Sequence, residues 1–153
     1  MWNTPLLLWQ GGKCWVYDNA KVYDDAKVDN HAIVCGHAEV YGDAKVYYNA
    51  LVSDCAVVYG DAQVHGIAQV YNSARVFGNA NVYNVANVCD DAVVFNNAKI
   101  YDKAIVSGRS NVYGDAEVYG NAEVSGDAKV YGKAKVYGKV KVDYEVSEST
   151  IKE

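Results

Sequence analysis

The sequence predicts an all-β fold, a triangular solenoid of short strands wound into stacked coils, on three observations. Alanine returns at every sixth position from residue 20 to residue 134, with Ser110 the one exception. Valine stands two residues after each of these positions, from Val16 to Val142, with Ile100 the one substitute. Between each valine and the next alanine lies a position held mostly by Gly, Asn or Asp, and eleven of the thirteen glycines occupy it.

A period of six is foreign to a helix, whose apolar face returns every 3.6 residues. Ala and the Val two places on point to the same side of an extended segment, so both face inward. Val is β-branched and suits a strand. Ala leaves room where the chain bends, and Gly, Asn and Asp accept the positive φ of a turn. Each hexad is therefore one short strand and one corner. The phase never slips, so no loop is inserted.

The residue after each valine sets the number of hexads per coil. Grouped by eighteen, one column reads Tyr23, Tyr41, Tyr59, Phe77, Phe95, Tyr113, Tyr131, aromatic throughout. Another reads Tyr17, Cys35, Ser53, Tyr71, Cys89, Ser107, Ser125, Asp143 and collects every Cys and Ser found at this position. Grouping by twelve scatters both sets. Three hexads per coil give a prism of about seven coils, roughly 34 Å tall at strand spacing.

With V-Y-G-D-A-K as its unit, the chain from Cys14 to Val142 resembles the hexapeptide-repeat superfamily, matching it at the aliphatic and small positions and placing Tyr where Gly is common. The resemblance implies a left-handed parallel β-helix. It is nearest to regular, insertion-free, Tyr-rich members, many labelled acetyltransferases and some phage-encoded. The apolar residues of 1–13 read as an N-terminal cap on the solenoid (14–142), and DYEVSESTIKE, which breaks the hexad, reads as a C-terminal cap or polar tail (143–153).

The 153 residues suffice for one domain, and 51% of them are apolar, so a core is available. The net charge of −5 argues against a general nucleic-acid binder. No apolar run is long enough for a membrane-spanning helix. The opening MWNTPLLLWQGG lacks a basic leader and a cleavage-like site, and reads as part of the fold. The expected location is the cytoplasm, or host cytoplasm or virion for a phage-encoded chain. There the four cysteines are expected as free thiols.

The three outward faces differ. The aromatic column of Tyr23, Tyr41, Tyr59, Phe77, Phe95, Tyr113 and Tyr131 reads as a stabilising ring ladder, or as a flat platform for a glycan or another protein. The face with small residues carries Trp15, Ile33, Leu51 and Ile105 before its valines, and outward apolar residues there mark association. It is the expected homo-oligomer face, and the resemblance implies a trimer of parallel prisms.

Chemistry is sparse. Related acyltransferases use a His base and bind acyl-CoA between prisms, so the resemblance makes His31 and His37 the catalytic candidates in that reading. They stand at the same position of successive corners and do not converge. His65 stands in a Tyr column between Tyr47 and Tyr83. Cys35, His37 and Cys55 supply three donors near one corner for a zinc ion, without a standard motif. Cys14 holds an inward position and is expected to be buried. The sequence thus favours a structural or interaction solenoid without cofactor. An acyl-CoA-dependent O- or N-acyltransferase is the first alternative, and a carbohydrate-binding surface the second.

Overall fold

The computed structural model describes residues 13–152. The expected cap at 1–13 thus lies outside the described residues except for Lys13. The described chain forms twenty-four strands of two or three residues and no helix. They assemble into three parallel sheets of eight strands each. The first sheet runs from Trp15–Val16 to Lys141–Val142, the second from Lys21–Val22 to Glu145–Ser147, and the third from Lys27–Val28 to Thr150–Lys152. Consecutive strands enter successive sheets, so three strands complete a coil of the triangular parallel β-helix. The register pairs Trp15 with Ile33 and Ile33 with Leu51, which is the eighteen-residue period of the sequence.

The core is a column of valines and alanines. From Ala32 to Val136 every inward position is buried, and each buried valine contributes about 1.5 kcal/mol or more of apolar transfer. Ser110 occupies an alanine position at no polar cost, because its hydroxyl donates to the carbonyl of Ser107 at 2.7 Å. Backbone bonds run along the prism axis, as from Trp15 N–H to the Ala32 carbonyl at 2.9 Å.

Each corner turns on the second residue after the valine, which adopts positive φ. Besides eleven glycines, nine Asp or Asn residues take this conformation, together with Tyr48 and Glu148. A side chain at Gly66 would place its Cβ 2.9 Å from the backbone of Asn84 one coil away, so close stacking and handedness both select glycine there. Where Asp or Asn turns the corner, its side chain braces the next coil. Asp90 accepts the Gly108 amide at 3.0 Å and the Asn72 side-chain amide at 3.0 Å.

Two features differ from expectation. There are about eight coils, not seven, because the tail supplies strands at Glu145–Ser147 and Thr150–Lys152. Val146 pairs with Val130 and Ile151 with Val136, sixteen and fifteen residues apart where earlier partners are eighteen apart. Shortened corners therefore close the last coil. Cys14 is partly exposed, not buried, since the first coil has no described neighbour beneath it.

Candidate functional site

The first sheet has the only long uncharged run of outward strand residues among the described sheets. Trp15, Ile33, Leu51, Gln69, Asn87 and Ile105 occupy six successive strands before Glu123 and Lys141 appear. The second sheet carries Lys21, Glu39 and Arg75 in the same coils, and the third carries Lys27, Lys45 and Lys99. Trp15 and Ile105 are 61% and 40% exposed, while Ile33 and Leu51 are half-buried.

The two polar strand residues do not interrupt the apolar surface. Ile67 precedes Gln69 by two residues and Val85 precedes Asn87 by two. Both sit at the corner entering the first sheet, 55% and 44% exposed. Each of the first six coils thus carries one apolar residue either on the first sheet or at the corner leading into it: Trp15, Ile33, Leu51, Ile67, Val85, Ile105. Ile67 and Val85 stand at corner positions, outside the strand column in which the sequence shows its apolar residues, so the pattern of that column alone does not contain them.

In the column beside this ridge the Tyr71 hydroxyl is pushed up to about 12 by hydrogen bonding with the Cys89 thiol and then by burial. Burial also raises the Cys89 thiol, which favours its protonated form.

The aromatic column of the second sheet forms a continuous stack. Tyr23, Tyr41, Tyr59, Phe77, Phe95, Tyr113 and Tyr131 lie 4.7–5.1 Å apart, centroid to centroid, with near-parallel planes. The third sheet bears a second stack of Tyr47, His65, Tyr83, Tyr101, Tyr119 and Tyr137 at 4.7–5.2 Å. The sequence places His65 in this column between Tyr47 and Tyr83, and the structure shows the column to be a ring stack as continuous as that of the second sheet. Phenol groups on both stacks are shifted upward, chiefly by burial at Tyr41 and Tyr101. Burial between rings pushes the His65 imidazole down.

The catalytic and metal candidates are not brought together. His31 is exposed at the corner between the third and first sheets, and His37 at the corner between the first and second. His37 Nε2 lies 3.3 Å from Asn19 Nδ2, one coil below. Among the described residues no group of three His, Cys, Asp or Glu side chains is placed to hold a metal ion, and Cys35, His37 and Cys55 form no such group. Two open clefts line the third sheet and its corners. One, of about 430 Å³, lies along Asn84, Val85, Asp102, Lys103, Gly120 and Asn121. The other, of about 230 Å³, lies among Lys27, Asp29, Asn30, Lys45 and Tyr47. Neither contains a candidate histidine.

Among the described residues no helix is long and apolar enough to cross a membrane. No family model, no curated protein and no solved structure matches the chain.

Proposed function

We propose that the chain is a rigid interaction scaffold that associates with copies of itself through the first sheet. The observation that carries this reading is the apolar ridge of Trp15, Ile33, Leu51, Ile67, Val85 and Ile105 on a prism whose other two faces are charged or ringed. An exposed apolar strip along six coils is costly in water and gains by covering a like strip. The likeness to the hexapeptide-repeat superfamily, with its left-handed coil, supports three parallel prisms as the assembly.

Light scattering of the full chain tests this. Ile33→Lys with Leu51→Lys leaves the β-sheet spectrum intact and reduces the particle to one chain. Val57→Lys, on the second sheet, leaves the mass unchanged. A wild-type protein that is already monomeric at micromolar concentration rejects the reading. The acyltransferase alternative makes a different prediction, a thermal shift with acyl-CoA that is lost in His31→Ala or His37→Ala.

A further inference from the structure

The ring stack of the third sheet ends one coil before its sheet does. Below Tyr47 the column carries Asp29, not another ring. The space that a further ring would fill opens as the cleft of about 230 Å³ lined by Lys27, Asp29, Asn30, Lys45 and Tyr47. Tyr47 is held in place from above, stacked on His65 at 4.7 Å with its hydroxyl donating to Gln63 Oε1 at 3.2 Å.

Two features beside this cleft work against stability. Lys27 and Lys45 are register partners on neighbouring strands, the one like-charged register pair among the described strands. Like charges set side by side repel. Lys21 meets Glu39 at 2.8 Å and Lys141 meets Glu123 at 2.9 Å, each with an opposite charge as its register partner, whereas Lys27 and Lys45 face each other and neither has an ion pair among the described residues. The second feature is Tyr48, at φ 60, where the described corners otherwise use Gly, Asp or Asn, Glu148 excepted. A tyrosine there is strained. Its ring is 54% exposed and leans on Tyr47, with centroids 5.1 Å apart and planes tilted 53°. Local rules broken together at one place point to a site.

We infer that this cleft binds an acidic sugar residue, a pyranose bearing a carboxylate. The free face of Tyr47 is a flat apolar platform for the C–H face of the sugar, which continues the stack where the next ring is missing. The two ammonium groups meet the carboxylate and relieve each other's repulsion. Asp29 Oδ1 accepts the Asn30 backbone amide, which leaves Oδ2 to accept a sugar hydroxyl. The Asn30 side-chain amide offers a donor and an acceptor. Tyr48 packs against the Tyr47 ring from the side and so helps to hold the platform in place. The site lies on the third face and does not depend on self-association through the first.

Calorimetry of the full chain with trigalacturonate tests the inference, with its methyl ester and with citrate as the two controls. Trigalacturonate binds, and the ester and citrate each bind at least about tenfold more weakly. Lys27→Gln and Lys45→Gln each weaken binding of trigalacturonate by about tenfold or more. Tyr48→Asn lowers affinity while keeping or raising the melting temperature, a combination that a purely structural tyrosine does not give. No heat with trigalacturonate overturns the proposal. Equal affinity for citrate overturns the sugar platform, and equal affinity for the ester overturns the role of the lysine pair.

Discussion

The coils from Val112 to Gly138 and the coils from Trp15 to Ile67 share one backbone and differ in almost everything outward. The later coils carry Gly114, Gly120, Gly126, Gly132 and Gly138 at their corners, and lysines beside glutamates on their strands. The earlier coils carry Trp15, Ile33, Leu51 and Ile67 outward, a pair of lysines facing each other across neighbouring strands and a tyrosine in the left-handed region. The inward Val and Ala are the same in both, and from Ala32 onward they are buried alike. The core therefore tolerates the outward departures, because alternation along each two-residue strand separates packing from surface. A solenoid adds coil to neighbouring coil, so a costly surface in one coil is carried by stable coils beside it.

That separation is broken most strongly from the inside. Val118→Asp places an unpartnered carboxylate in the dry column and costs about 4 kcal/mol or more, enough to unfold the later coils in urea. Val57→Lys, at an outward position of the earlier coils on the second sheet, shifts the urea midpoint by less than about 0.5 kcal/mol equivalent. Equal losses at the two sites would mean that strand alternation does not partition core from surface.

Corners sharpen the same contrast at smaller scale. Gly120 has φ 71, and a Cβ there meets the Gly138 amide at 3.1 Å. Gly120→Tyr costs roughly 1–2 kcal/mol from backbone strain alone. Tyr48→Asn, in the same corner column, leaves stability unchanged or raises it by up to about 1 kcal/mol. Thermal melts of both variants check the pair. A destabilised Tyr48→Asn would mean that the Tyr47 contact outweighs the strain.

How much of this was legible follows from what each feature needs. Register and corners were legible because they rest on repetition: Ala, Val and Gly recur at fixed steps, and grouping by eighteen makes one column aromatic throughout while collecting every Cys and Ser at that position in another. The tail reads as outside the repeat because Val142, Val146 and Ile151 stand four and five apart. Strand pairing requires only an inward aliphatic at the right height, and a shortened corner delivers that without keeping the period. The apolar ridge crosses from strand to corner at Ile67 and Val85, so no single column contains it. The cleft below Tyr47 is a missing ring, and an absence has no residue to mark it. Cys35, His37 and Cys55 form no ligand group among the described residues, and His37 approaches Asn19 one coil below.

Acid separates the two ring stacks. Burial between Tyr47 and Tyr83 holds the His65 pKa below its ordinary value, so the native state favours the neutral imidazole. The unfolded chain takes up the proton first as pH falls. The His65 contribution is therefore full above about pH 6.5 and is lost below it, down to the depressed folded value. Wild-type protein loses melting temperature between about pH 7.5 and 5.5 relative to His65→Tyr, which completes the column with a group that stays neutral there. A His65 titration followed by NMR at or above the ordinary value would remove the basis for this difference.

The smallest effect belongs to the ion pairs at the two ends. Lys21 meets Glu39 at 2.8 Å and Lys141 meets Glu123 at 2.9 Å, each pair spanning adjacent coils of one sheet. Bonding to Lys21 is the main cause that lowers the Glu39 pKa, against the opposing pull of burial. A lowered carboxylate gives stability that is present above the ordinary carboxylate range and lost as pH falls through the folded value. Both pairs are open to solvent, so screening limits each to about 0.2–1 kcal/mol, less at high salt. A double-mutant cycle with Lys21→Met and Glu39→Gln gives this coupling at neutral pH and nearly none at about pH 2. The cycle on Lys141 and Glu123 gives the same value, because the backbone spacing that aligns the partners is the same in the irregular coils and the regular ones.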